Sequence, residues 1–200
     1  MPYVYSFENK NYCSAILLDI VQAFDKVWHT RLLLKLKTFL SAPYFIFFKS
    51  YLENLHIVTK VGSEFSNLPH ILAGVLQGAI SSLILYKYAA DQQTSNHTSV
   101  AEFADDKIIF TSHIDPLIAG QYLQNHLKDM KEWYSKWKFK VNNEKCSHMT
   151  FKLNKGNVPP ITLSNKIIIP SSNVRYLELI LDKCFTWAEH VKQKILLLNA

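Results

Sequence analysis

Phe103-Ala104-Asp105-Asp106 is the stretch on which the fold turns. It stands between two apolar runs, Val100-Ala101-Glu102-Phe103-Ala104 before it and Ile108-Ile109-Phe110 after it. Each run has the length and residue types of a short strand, which places the acidic pair at a hairpin tip. Adjacent carboxylates repel, and a turn that only reverses the chain gains nothing from them. A divalent cation removes that cost, because hard ions such as Mg²⁺ take oxygen ligands. A third carboxylate, Asp19, ends another apolar run, Ala15-Ile16-Leu17-Leu18, which reads as the exit of a buried strand. Three carboxylates on neighbouring strand ends suit two metal ions, the arrangement that serves in-line displacement at phosphorus.

The rest of the chain is consistent with a core large enough to hold such a site. Its 200 residues are 48% hydrophobic, sufficient for one sizeable domain or one and a fraction. Lysine and arginine number 22 against 16 acidic residues, a formal charge of +6. That excess is compatible with nucleic acid, and equally with an ordinary solvated surface. Cys13, Cys146 and Cys184 are widely spaced and form no Cys-x-x-Cys pair, so neither a zinc knuckle nor a disulfide framework is indicated. Unpaired cysteines fit a reducing intracellular compartment, with nucleus and cytoplasm both open. The start, Met1 to Asn11, lacks the apolar stretch of a signal peptide, and no apolar run approaches ~18 residues, so no membrane span is expected.

Moving outward from Asp19, Leu32, Leu33, Leu36, Phe39 and Leu40 recur at helical spacing until Pro43. A second helix is expected over about Tyr44 to Leu55, then a strand over His56 to Val61. Gly74-Val75-Leu76-Gln77-Gly78 is a loop signal before an apolar helix near Ile80 to Ala89, and Asp91 to Ser99 is polar loop. Asp115-Pro116 is a helix start, and Leu123, Leu127, Met130, Trp133 and Trp137 mark one packed face. Asn142-Asn143 ends that pattern. His148 to Leu153 alternates as a half-buried strand. Short strands are expected at Ile161–Leu163, Lys166–Ile169 and Val174–Leu181, with a last helix from near Trp187 to Ala200. The order predicts an α/β (α+β) chain, a largely antiparallel sheet with helices packed on one face.

At this point the residues resemble the reverse transcriptases of non-LTR retrotransposons, jockey-type mobile elements above all. Leu17-Leu18-Asp19 to Phe24-Asp25-Lys26-Val27-Trp28-His29 is similar to their first catalytic motif, and Gly74 to Gly78 to their second. Phe103 to Asp106 resembles the catalytic hairpin. Trp133 to Trp137 with Lys140-Val141-Asn142 and Lys145 resembles the next motif. Tyr176-Leu177-Glu178-Leu179, Leu181-Asp182 and Trp187 to His190 resemble the primer grip and beyond. The resemblance implies a polymerase palm over 1–153, with primer-grip-like hairpins and the start of a thumb or connection helix over 154–200. The fingers and an amino-terminal endonuclease are expected to lie outside this stretch.

The same resemblance implies RNA-directed DNA synthesis: a primer 3′-oxygen attacks a dNTP on an RNA template, helped by two ions of Mg²⁺ or Mn²⁺. Asp19, Asp105 and Asp106 would hold the metals, and Phe24 would exclude a 2′-hydroxyl, where an ordinary core phenylalanine is the competing reading. Gln77 and Gly78 would border the nucleotide and template, Lys145 the leaving phosphate, and Tyr176 and Leu177 the primer. Asp25 is expected to cap the following helix, and Trp28-His29 to pack. Some positions depart from the family pattern: Leu76 and Ser82 replace prolines, Ala79 a serine, and Glu178 a glycine. Lys107 stands where a small or hydroxyl residue is usual, and an ion pair with Asp106 is expected there. Two other readings remain at this stage: a non-catalytic nucleic-acid-binding remnant of such an element, and another phosphotransferase of palm-like fold, such as a nucleotide cyclase.

Overall fold

A computed structural model describes residues 9–22, 24–75, 88, 91–103, 106–151 and 158–198. The described residues divide into two compact units. The first takes in the chain up to Val21, Gln92–Tyr134 and the chain from Lys140 onward; the second comprises Gln22–Asp91 and Ser135–Phe139.

The first unit is built on a five-stranded sheet. Strands β1 (Tyr12–Asp19), β4 (Ser99–Phe103), β5 (Asp106–His113), β6 (Ser147–Phe151) and β9 (Ile169–Pro170) lie in the order β4-β5-β1-β6-β9. Only β6 and β9 run parallel; the other pairs are antiparallel. The apolar run ending at Asp19 is thus the central strand, which explains why it carries so few polar residues. On one face Ile16, Leu18 and Ile109 are buried beneath helix α3 (Pro116–Trp137). Asp115 accepts a 2.8 Å hydrogen bond from the Leu117 amide and starts that helix, as its sequence predicts. The stripe Leu123, Leu127, Met130, Trp133 and Trp137 is buried throughout. On the other face Ala15, Ile108, Met149, Phe151 and Val174 form an apolar cluster, with Tyr176 and Leu181 packed against it.

That second face is covered by a hairpin, β10 (Asn173–Tyr176) and β11 (Leu179–Asp182). The expectation of one strand over Val174–Leu181 is corrected here. Leu177 and Glu178 both adopt positive φ, 47° and 64°, and turn the chain in two residues. A short hairpin, β7 (Thr162–Leu163) with β8 (Lys166–Ile167), precedes it, and α4 (Ala188–Leu198) follows.

In the second unit, α1 (His29–Phe39) and α2 (Ala42–Glu53) follow one another closely. Pro43 falls in the first turn of α2, so it starts a helix as well as limiting the one before. The expected strand His56–Val61 is reduced to a single His56↔His70 bridge and a two-residue strand, β2 (Lys60–Val61), paired with β3 (Glu64–Phe65). Asp25 does not cap α1: the N-cap is Trp28, without a side-chain bond. The backbone around Asp25 is engaged elsewhere, since Val75 donates to the Phe24 carbonyl and Gly74 to the Val27 carbonyl. Gly74 has φ of 105°, and a Cβ there would lie 3.4 Å from the Asp25 carbonyl oxygen. A buried aromatic group, Tyr88, Trp137 and Phe139, surrounds the Lys35 stem; its ammonium lies 3.7 Å from the Trp137 ring centre. Among the described residues no helix is long and apolar enough to cross a membrane.

Candidate active site

The antiparallel register of β1 and β5 sets Asp19 directly opposite Asp106. Residues paired in this way have Cα atoms about 4.5–5.5 Å apart and project their side chains from the same face. Two like charges so placed destabilise a sheet unless something neutralises them. Among the described residues the Asp19 carboxylate has neither a hydrogen bond nor an ion pair.

Lys145 reaches this place through a local chain of bonds. The Asp19 carbonyl accepts a 2.9 Å hydrogen bond from the Asn142 amide. The Asn142 carbonyl then accepts from the Lys145 and Cys146 amides, each at 3.1 Å, and its side chain accepts from the Glu144 amide at 3.3 Å. Asn142, which ends a helical pattern in the sequence, therefore builds the turn that carries Lys145 beside the strand end. The result is a cavity of about 260 Å³ lined by Leu17, Asp19, Asp106, Lys145, Arg175 and Tyr176, among others. Burial raises the Tyr176 hydroxyl pKa, and the Asp106 and Glu102 charges add to the effect.

Lys107 does not form the expected pair with Asp106. Strand alternation turns it to the opposite face, where it is 2% exposed. There it lies 3.4 Å from Glu102, donates to the Gln92 side-chain carbonyl, and stands 5.5 Å from the Tyr134 ring centre. Burial pulls its pKa down to about 8, while Glu102 opposes the shift. The Lys107 ammonium is thus engaged by Glu102 and Gln92 on the α3 face. Glu178, replacing glycine, sits at a position of positive φ and holds Arg175 by an ion pair within the turn.

Of the other expected site residues, Leu177 is the first residue of that turn and is partly exposed. Phe24 belongs to the second unit, where its carbonyl is held by Val75. His29 is buried there with its Nε2 2.7 Å from the Gly74 carbonyl, a packing role. Asp105, Gln77 and Gly78 lie outside the described residues, as do Leu76, Ala79 and Ser82. One contributor to the cavity, Arg175, and one local organiser outside its lining, Asp182, were not singled out as site residues from sequence. Arg175 brings a second cation to the cavity. Asp182 accepts from the Cys184, Thr186 and Trp187 amides and the Thr186 hydroxyl, all at 2.9–3.0 Å, so its carboxyl pKa is lowered. An aspartate that collects the amides two, four and five residues ahead of it is the local pattern of such an organiser.

Oxygen donors, a half-buried unpaired carboxylate and a facing carboxylate fit a hard divalent cation. Among the described residues no three His, Cys, Asp or Glu side chains gather as a metal cluster.

A five-stranded, mostly antiparallel sheet with carboxylates at paired strand ends defines a polymerase palm. The fold is similar to that of telomerase structures from Candida tropicalis. Against the apo enzyme truncated from its C-terminal domain, the TM-score is 0.61 at 14% identity, over 93% of this chain and 38% of that one. Against the complex with a fragment of telomeric RNA, it is 0.60 at 15% identity, over 91% of this chain and 31% of that one.

Residues 4–181 match the family described as reverse transcriptase (RNA-dependent DNA polymerase), and the chain belongs to that family. It is 34% identical over 197 residues to the RNA-directed DNA polymerase from mobile element jockey of Drosophila melanogaster. It is 32% identical over 193 residues to the probable enzyme from transposon X-element of the same fly. The match to transposon BS is 34% over 199 residues. These alignments cover 93–94% of this chain and only 21–22% of the relatives, so the chain spans about a fifth of their length.

Proposed function

We propose that these residues are the catalytic palm of an RNA-directed DNA polymerase from a non-LTR retrotransposon, extending a DNA primer with dNTPs on an RNA template. The observation that carries this reading is the register pairing Asp19 with Asp106. Asp19 and Asp106, together with Asp105, hold two divalent cations, Mg²⁺ or Mn²⁺. Cations bound there lower the barrier to attack by the primer 3′-oxygen and stabilise the leaving oxyanion. Lys145 offers a positive charge to the departing pyrophosphate from the same cavity. Tyr176 and Leu177 guide the primer end from the β10–β11 turn. Phe24 disfavours a ribose 2′-hydroxyl, and Gln77 and Gly78 border nucleotide and template. In this reading 1–153 is the palm and 154–200 carries primer-grip-like hairpins and the start of the next helix.

Two readouts on this chain test the assignment. Mn²⁺ binding, followed by the electron paramagnetic resonance of the free ion, is expected to weaken at least tenfold in Asp19→Asn and in Asp106→Asn. Template-dependent primer extension in Mn²⁺ is expected to fall by ~10²-fold or more in the same variants, the scale for losing a group that stabilises transition-state charge. Equal binding and equal extension by wild type and both variants would reject the assignment. Salt-sensitive nucleic-acid binding with no extension by the wild type would instead favour the non-catalytic reading.

A further inference from the structure

We infer that His56 and His70 form a bidentate site for a borderline transition-metal ion, of which Zn²⁺ is the representative. The pair lies in the second unit and has no part in the palm chemistry. His56 and His70 are bridge partners on antiparallel backbone. The flanking bonds, Ile57 amide to Pro69 carbonyl and Ile71 amide to Leu55 carbonyl, make them a non-hydrogen-bonded pair. That is the pairing in which opposing side chains approach most closely. Both residues are exposed, so the site is open to an ion from solvent.

The ring nitrogens are already sorted into donors and ligands. His56 Nδ1 lies 3.0 Å from the Asn54 carbonyl, and His70 Nε2 lies 2.8 Å from the Glu53 carbonyl. A carbonyl only accepts, so each of these nitrogens carries its proton. In the neutral rings the lone pairs are therefore on His56 Nε2 and His70 Nδ1. A backbone carbonyl bound to the far nitrogen is the usual support of a metal-ligating imidazole, because it fixes both tautomer and ring orientation.

The separation also fits. The ring centres are 5.1 Å apart and the planes differ by 34°. With a Zn–N bond of about 2.0–2.1 Å and about 1.1 Å from nitrogen to ring centre, two imidazoles on a tetrahedral ion have centres about 5 Å apart. A stacked pair would sit closer, as His97 and Tyr122 do at 4.2 Å with planes 7° apart. No hydrogen bond joins the two histidine rings. Two protein ligands leave the remaining positions to water. Imidazole nitrogen selects Zn²⁺, Ni²⁺ and Cu²⁺ over Mg²⁺, which keeps this site apart from the carboxylate site.

The test uses the metal alone. Zn²⁺ is titrated into the whole chain in excess Mg²⁺, in competition with a chromophoric chelator. His56→Gln and His70→Gln are each expected to weaken one site at least tenfold, because the second ligand acts as an intramolecular one. Asp19→Asn is expected to leave that site unchanged. Cu²⁺-loaded protein is expected to show two coordinated imidazole nitrogens by pulsed electron paramagnetic resonance, and one in either glutamine variant. Zn²⁺ affinity and nitrogen count unchanged in both variants would overturn the inference, as would a wild-type chain that binds no Zn²⁺.

Discussion

Neighbouring residues on one strand, Asp106 and Lys107, meet opposite conditions on the two faces of the sheet. Lys107 lies under α3, almost fully buried, beside a carboxylate, an amide oxygen and an aromatic face. Asp106 opens onto the cavity opposite a like charge. A buried polar group must be satisfied or it destabilises the fold, whereas a carboxylate that opens onto a cavity, as that of Asp19 does, can be left to a ligand. The α3 face is therefore organised for stability and the β10–β11 face for binding. His148 and Ser14 repeat the first pattern, sharing a 2.7 Å hydrogen bond on buried atoms.

The largest expected effect breaks the buried side. Burial lowers the His148 pKa from 6.5 to about 4. Between those values the unfolded chain binds a proton that the folded chain refuses, so stability falls as pH drops from about 6.5 toward 4. The loss is bounded at about 3 kcal/mol. Denaturant melts across this range are expected to show a steeper acid slope for wild type than for His148→Gln; identical slopes would refute the role of His148.

An intermediate effect is expected at the hairpin covering the open face. Glu178 holds a left-handed conformation that glycine adopts without penalty, at a cost of about 1–2 kcal/mol for an L-residue. Its exposed ion pair with Arg175 returns at most about 1 kcal/mol. Glu178→Gly is expected to raise stability by about 1 kcal/mol, read as a higher denaturation midpoint, whereas Glu178→Ala is not.

The smallest effect sharpens the open side. Asp19→Asn removes one of two facing charges, and in chelator the variant is expected to be about 0.2–1 kcal/mol more stable than wild type. Added Mn²⁺ is expected to reverse that order, since the ion stabilises only the chain that binds it. A variant less stable than wild type in chelator would show that the pair is not repulsive.

Much of this molecule is legible in its sequence, because short-range rules act strongly where burial is one-sided. The apolar run ending at Asp19, the alternating hairpin, and the stripe from Leu123 to Trp137 each announce their element and their buried face. The readings that failed share one cause. Val174–Leu181 looks continuous because Leu177 and Glu178 carry no turn signal; their left-handed backbone is imposed by pairing β10 against β11. Asp25 looks like a cap, yet its backbone neighbours are drawn into bonds with Gly74 and Val75, some fifty residues away.

Residue types and spacing by themselves determined the strand ends that carry Asp19 and Asp106, the helix that follows Asp115, and membership of the polymerase family. Only the tertiary structure decided which side chains meet: Lys107 turned to Glu102, Arg175 and Lys145 brought beside Asp19, and His56 set against His70. Periodicity is a property of neighbouring residues and survives in one dimension. Charge pairing depends on register and facing direction between distant segments, and those are settled only when the sheet closes.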